Sequence, residues 1–352
     1  MICSSKTCIR SRRLLIFLAV NWLIVLFMLH RAFPLIQLLV ENGTADTISH
    51  AALTASSAGL ADQSELIPKI IHQTYKSDTI PSRWLDARNS CIDMHPDYEY
   101  MLWTDKKARA FIATKYPWFL DSFDGYRNAI QRADAIRYFI LVYYGGIYID
   151  LDDGCNRRLD KLLIYPAWVR RTTPTGISND VIGSIPQHPF FLQVIEALKP
   201  YDRNWILPYV TIMYTTGPLF LSVIWRQYTL HGPSRTWPVR ILSLEDYGLH
   251  RNSFFTQYNG SSWHGGDASV IFWMGRHWLF LTFCGVIVGA LVILFNWWMY
   301  CQLIAWYPRF HLCHSLCPGP FRHPFQSTWG KLLKCVSKAK LTDDEEAESV
   351  TE

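Results

Sequence analysis

Two apolar runs constrain this chain more than any other feature. Leu14 to Phe33 reads LLIFLAVNWLIVLFMLHRAF, and its only strongly polar members are Asn21, His30 and Arg31. About twenty such residues, wound as a helix, cross the hydrocarbon core of a bilayer. A second run, Trp278 to Phe295, is followed by Asn296, Trp297, Trp298 and Tyr300, and tryptophan and tyrosine collect at the headgroup interface. Whatever lies between the runs therefore folds on one side of a membrane, tethered at both ends.

Basic residues give the orientation. Lys6, Arg10, Arg12 and Arg13 precede the first run, and Arg309, Arg322, Lys331, Lys334, Lys338 and Lys340 follow the second. The positive-inside rule puts both tails in the cytosol and leaves about 240 residues in the lumen. The first run is longer than a signal-peptide core and lacks a small-residue cleavage site after it, so it reads as an anchor. The sequons Asn42-Gly43-Thr44 and Asn259-Gly260-Ser261 both fall in the luminal part. The expected partition is a basic cytosolic tail (1–13), an anchor (14–33), a luminal stem (34–66), a folded domain (67–277), a second span (278–298) and a cytosolic tail (299–352) with a disordered acidic end.

The chain is 50% apolar and 15% aromatic, and the excess lies mainly at the two spans. Its formal charge of +5 comes partly from membrane-flanking residues, so it gives no nucleic-acid footprint and none is expected as a partner. Of nine cysteines, only Cys91 and Cys155 are luminal and clear of the membrane. One disulfide or two buried thiols both suit that placement. His311, Cys313, His314 and Cys317 lack the spacing of common zinc modules.

The stem is rich in Ala, Ser, Thr and Gly and offers little to pack. From Ile67 strand and helix patterns alternate: IPKIIHQTY as a strand ending in His72, Gln73 and Thr74, a helix opened by Pro81 and stopped by Pro96, YEYMLWTD as a strand, and DKKARAFIATKY as a helix. Asn128 to Tyr144 has apolar residues at three- and four-residue spacing, which also puts Asp134 and Arg137 on one face. Gly145-Gly146 ends that helix, and IYIDLDD is the next strand. Such alternation predicts an α/β fold with a mixed, mainly parallel sheet.

Asp150 and Asp152 then stand at a strand end, where open α/β sheets bind their ligands. Carboxylates are hard oxygen donors, suited to Mg2+ or Mn2+ holding a pyrophosphate. Gly154 excludes an EF-hand loop. A phosphatase of the haloacid-dehalogenase kind, with Asp150 as nucleophile, stays open on the triplet alone, although its motif normally stands at the start of a domain.

The wider order of motifs narrows this. IPKIIHQTY, Trp84, RADAIRYFILVYYGGIYIDLDD, ISND, QHPF, TTGP and SSWHGGDA together resemble glycosyltransferase family 32 over roughly Ile67 to Ser269. Within that family, the two-span layout is similar to the branch that mannosylates inositol phosphorylceramide. The resemblance implies a GT-A-like nucleotide-sugar-binding domain flanked by two transmembrane helices, GDP-mannose as donor, inositol phosphorylceramide as acceptor, a regulatory membrane subunit and a Golgi membrane with the catalytic domain luminal. It implies metal ligation by Asp150, Asp152 and His264, with Mn2+ or Mg2+. Asp134, Arg137 and Asp152 would be catalytic. Substrate contacts would come from His72, Gln73, Thr74, Asp134, Arg137, Asn179, Asp180, Thr216, Gly217 and Trp263, with Asp153 only a neighbour. Two other readings stay open: a family member using UDP-galactose or a glycan acceptor, and a non-catalytic membrane subunit that keeps the fold.

Overall fold

The computed structural model describes residues 5–40, 46–49, 53, 64–173, 175–243, 253–258, 260 and 265–316. It forms two units, one of Phe27–Arg276 and one of Met1–Leu26 with His277–Glu352. Helix α1 (Ser5–Val40) carries the first apolar segment, Leu14–Val40. It continues through Pro34, seven residues beyond the expected end at Phe33. Both spanning candidates exceed the roughly 20 residues a bilayer requires: Leu14–Val40 has 27 and Trp278–Gln302, within the C-terminal helix Trp278–Leu316, has 25. Within the unit of the two terminal segments, Phe17 and Tyr300 meet with ring centroids 4.7 Å apart.

The Phe27–Arg276 unit is built on a six-stranded sheet of order β2-β1-β3-β6-β5-β7. In chain order its elements begin with β1 (Ile70–Tyr75), α2 (Ser82–Met94), β2 (Glu99–Thr104), α3 (Asp105–Lys115), α4 (Leu120–Gly125) and α5 (Ala129–Tyr144). Next come β3 (Gly146–Ile149), β4 (Asp153–Cys155), β5 (Ala167–Arg171), β6 (Ile177–Ser184), α6 (Pro189–Tyr201), α7 (Pro208–Thr215) and α8 (Pro218–His231). The last are β7 (Val239–Leu242), β8 (Phe255–Gln257) and α9 (Gly266–Arg276), while α10 (Trp278–Leu316) belongs to the terminal unit. Strands β2, β1 and β3 run parallel, as do β5 and β7, while β6 is antiparallel to both its neighbours. The expected mixed, mainly parallel sheet is thus present.

Alternation along the strands sends side chains into two cores. Ile71, Ile147, Ile149, Trp168 and Val181 pack on one side. Tyr148, Val169 and Ile182 pack on the other, against α5, α6 and α8. Helix α5 is buried continuously from Asp134 to Val142, so Asp134 and Arg137 lie inside the protein and not on a solvated helix face. Its start is fixed by a capping box between Asn128 and Gln131.

The joint after α5 needs glycine twice. Gly145 has φ 66° and Gly146 φ 93°, values that side chains strain to adopt. A Cβ on Gly146 would also lie 2.7 Å from the Ile70 carbonyl oxygen. This tight reversal brings the end of α5 back alongside β3, so Arg137 and Asp150 come from neighbouring elements.

Two findings depart from a loose stem. Leu38, Ile48 and Leu53 are buried, and Ile48 N donates to the Ile241 carbonyl at the outer strand β7. Ile48 and Leu53, scattered among small residues, were enough to dock part of the segment. Cys91 and Cys155 form a disulfide, tying α2 to β4. Closing a loop of that length stabilises a fold by about 2–5 kcal/mol. Cys91→Ser with Cys155→Ser is expected to lose that amount, read as a fall in melting temperature of the full chain in nanodiscs.

Candidate active site

Strand β3 ends at Ile149, and the backbone turns at once. Asp150 N donates to the Asp180 carbonyl at 2.8 Å, and Asp153 N donates to the Asp150 carbonyl at 3.0 Å. The turn brings carboxylate oxygens of Asp150, Asp152 and Asp153 within 4.8 Å of one another. Asp153, expected to be only a neighbour, belongs to this cluster. It is buried because it begins β4, which pairs with β8.

Arg137 is the cation that faces the cluster. Its guanidinium lies 2.9 Å from Asp134 and 3.4 Å from Asp150 and donates to the Asn179 carbonyl at 2.5 Å. The group lies over the Tyr148 ring, 4.6 Å from its centroid. Burial works against its charge, but Asp150, Tyr148 and Asp134 outweigh that and raise its pKa. Arg137 therefore stays charged.

Asp134 is held on both oxygens. Asn179 Nδ2 donates to one and Thr216 Oγ1 to the other, each at 3.0 Å. Burial still pushes its pKa up to about 6 against the pull of Arg137. Asp150 is likewise pushed up to about 6, by burial first and by Asp152 as well, although Arg137 and a 2.6 Å hydrogen bond from the Tyr148 hydroxyl oppose the shift. Asp152 moves in the same direction through burial. Three carboxylates beside one shared guanidinium are short of positive charge.

That donor set fits a hard divalent cation. It contains oxygen only, which suits Mg2+ or Mn2+, and a cation bound there would offset carboxylate charge that burial disfavours. Above the cluster lies a cleft of about 760 Å3 whose lining includes Thr74, Trp84, Asp134, Arg137, Asn179 and Asp180. This is space for a nucleotide sugar at the carboxyl ends of β1 and β3.

The remaining expected residues separate. Thr74 reaches the cleft and bonds the Tyr148 hydroxyl at 2.8 Å. His72 and Gln73 do not, because they lie two residues and one residue deeper in β1 and are fully buried. Trp103 Nε1 donates to His72 Nδ1, which leaves Nε2 to donate to the Gly145 carbonyl. Burial lowers the His72 pKa to about 4, so the ring is neutral and pins the β1–α5 joint. Gln73 accepts from the Tyr100 hydroxyl. Asp180 pairs with Arg170, Thr216 acts through Asp134, and Gly217 is the N-cap of α8. Trp263 and His264 lie outside the described residues.

Comparison with known proteins identifies the arrangement. Residues 81–168 match the family described as a glycosyltransferase sugar-binding region containing a DXD motif. The chain is 47% identical over 318 residues to mannosyl phosphorylinositol ceramide synthase CSH1 of Saccharomyces cerevisiae, covering 89% of this chain and 81% of that protein. The chain belongs to glycosyltransferase family 32. It is also 53% identical over 236 residues to inositol phosphoceramide mannosyltransferase 3 of Schizosaccharomyces pombe, covering 67% of this chain and 66% of that protein. Mannosyl phosphorylinositol ceramide synthase SUR1 of S. cerevisiae is 48% identical over 283 residues, with 80% and 73% covered.

Family membership sets aside the phosphatase reading. The structure of this family 32 glycosyltransferase also adds residues to the expected set. Tyr148 bonds Asp150, and its position two residues earlier in the strand was the available signal. Tyr138 donates to the Thr216 carbonyl and accepts from Asn179, connections that no local pattern encodes.

Gly260 is the third addition. A Cβ there would lie 1.5 Å from Asp152 Oδ2, and Tyr258 N donates to the Asp152 carbonyl at 2.7 Å. The chain entering the SSWHGGDA segment thus rests on Asp152. Gly260→Ala is expected to displace that carboxylate and raise the Mn2+ concentration for half-maximal activity roughly ten- to hundredfold, in the range seen when outer-sphere support of a metal site is lost. An unchanged metal requirement would show that Asp152 does not depend on this contact.

Proposed function

We propose that this family 32 glycosyltransferase transfers mannose from GDP-mannose to inositol phosphorylceramide, retaining the α configuration of the donor. The observation that carries this reading is the convergence of Asp150, Asp152 and Asp153 beside Arg137 in the cleft, in a chain 53% identical to a protein named for inositol phosphoceramide mannosylation. Asp150 and Asp152, with His264 from the late loop, would hold Mn2+ or Mg2+. A cation bound there would offset the charge that builds on the diphosphate as it departs.

The chain's own residues then divide the work. Arg137 fixes Asp150 and Asp134 in place while keeping a positive charge beside the diphosphate end of the cleft. Asp134, with both oxygens anchored, faces the donor sugar or ribose, and Asn179 and Asp180 border the same space. Thr74 borders the nucleotide, Gly217 shapes the acceptor side, and Trp263 supplies a stacking face. No carboxylate is assigned as a covalent nucleophile, so the acceptor hydroxyl attacks from the face that GDP leaves, through an oxocarbenium-like state.

Residues 67–277 would form the luminal catalytic domain in the Golgi, between spans 14–33 and 278–298, with residues 1–13 and 299–352 cytosolic and residues 34–66 as the stem. A regulatory membrane subunit would accompany the chain.

Donor and acceptor are tested together by offering the full chain, in Mn2+, labelled GDP-mannose or UDP-galactose with inositol phosphorylceramide or a mannose-terminated glycan. Label from GDP-mannose in the lipid, released by an α-mannosidase, is the expected outcome. Label only from UDP-galactose would sink the donor assignment, and label only in the glycan would sink the acceptor assignment.

A further inference from the structure

Between α6 and α7 the chain exposes three consecutive large apolar residues, Trp205, Ile206 and Leu207, with Ile206 100% exposed. The stretch is held in place. Trp205 N donates to Thr211 Oγ1 at 3.0 Å, the Thr211 hydroxyl donates back to the Trp205 carbonyl at 3.2 Å, and the Trp205 ring lies 5.5 Å from that of Tyr214. The fold therefore presents Ile206 outward.

A second apolar face adjoins it. Helix α9 leaves Val270, Phe272, Trp273 and Met274 exposed. Tyr209, at the start of α7, joins the two: its N donates to Asp267 Oδ2 at 2.6 Å, and its ring meets Phe272 at 5.6 Å, edge to face. Exposed Arg203 and Arg276 border the apolar residues. Contiguous apolar surface of this kind marks a site of attachment.

Connectivity says what covers it. Helix α9 ends at Arg276, and the apolar helix α10 begins two residues later at Trp278, so the end of α9 lies within about 7 Å of the start of a membrane span. Aromatic and aliphatic residues flanked by arginine are the composition of a bilayer interface. The middle of α7 reaches the cleft, since Ile212, about 6 Å along the helix axis from Pro208, lines it.

We propose that Trp205–Leu207 and the outer face of α9 form a lipid-docking surface that seats the acceptor side of the cleft on a bilayer containing anionic phosphoinositol lipid. The proposal rests on the lipid-acceptor reading and specifies the route: the head group enters the cleft past α7 while the acyl chains stay in the leaflet. Arg203 and Arg276 attract the phosphate of the head group.

The test uses the full chain in nanodiscs containing inositol phosphorylceramide. Ile206→Glu with Val270→Glu removes no packed side chain, because both residues are exposed. The pair is expected to raise the KM for the lipid acceptor about tenfold or more while leaving acceptor-free hydrolysis of the donor within about twofold of wild type. An unchanged KM, or equal loss in both reactions, overturns the proposal. A readout without activity uses a fluorophore at Ile206→Cys, with the unpaired cysteines replaced by serine. Brominated acyl chains are expected to quench it and to spare the same fluorophore at Ser77→Cys. Absence of quenching at position 206, as when a second copy or a protein partner covers the surface, overturns the proposal as well. Quenching without transfer to any phosphoinositol lipid would fail the acceptor assignment and leave the docking surface standing.

Discussion

Arg137→Met is expected to abolish transfer and to lower the unfolding free energy by about 3–5 kcal/mol, the cost of removing one partner from a buried ionic network. Only 3% of the Arg137 side chain is exposed, and its guanidinium serves Asp134, Asp150 and the Asn179 carbonyl together. Methionine matches its apolar stem and supplies none of the five donors. Two carboxylates already pushed up to about 6 by burial would lose the charge that opposes that shift. Adding Asp134→Asn removes one of them, so the double variant is expected to recover part of the stability and none of the activity. Thermal unfolding of wild type, single and double variants in nanodiscs, beside a transfer assay, checks both halves. A single variant as stable as wild type would mean that the guanidinium does not hold the site together.

Asp152→Asn has the opposite profile. Transfer is expected to fall by about a thousandfold, roughly 4 kcal/mol of transition-state stabilisation, because asparagine keeps the shape and loses the anionic oxygen a divalent cation binds. Stability in EDTA is expected to rise slightly. Burial and the neighbouring Asp180 raise the Asp152 pKa, so above the unfolded carboxylate pKa the folded state binds more protons than the unfolded chain, and stability falls as pH rises through that window. Asparagine has no proton to lose, so its advantage is absent at pH 3 and complete at neutral pH. Loss of activity with loss of stability would instead mark Asp152 as a structural residue.

The sequence carried the parts of this site that are local. Periodicity placed α5 and put Asp134 and Arg137 on one turn, and the glycine pair marked the reversal that brings β3 beside them. Alternation could also have found Tyr148, since it shares a strand face with Asp150. Contacts across the fold were not legible. Thr216 and Asn179 reach Asp134 from 82 and 45 residues away, and Arg170 meets Asp180 through a hairpin. Depth within a strand was the other gap: the motif HQT marked the end of β1, but at about 3.3 Å per residue only Thr74 stands far enough out to line the cleft. Ile48 and Leu53 were hidden for a different reason, as single apolar residues in a small-residue segment show no period although each finds a buried seat.

The proposed role of Asp150 and Asp152, just beyond β3, is a metal-dependent clamp for GDP-mannose in a lipid mannosyltransferase. Its most direct test is the formation of mannosylated inositol phosphorylceramide from labelled GDP-mannose by the full chain in nanodiscs, stripped with EDTA and titrated with Mn2+, for wild type and Asp150→Asn. The account predicts no product in EDTA, saturable recovery of wild type by Mn2+ and no recovery of Asp150→Asn at any Mn2+ concentration. Full-rate transfer in EDTA, or by Asp150→Asn, would contradict it.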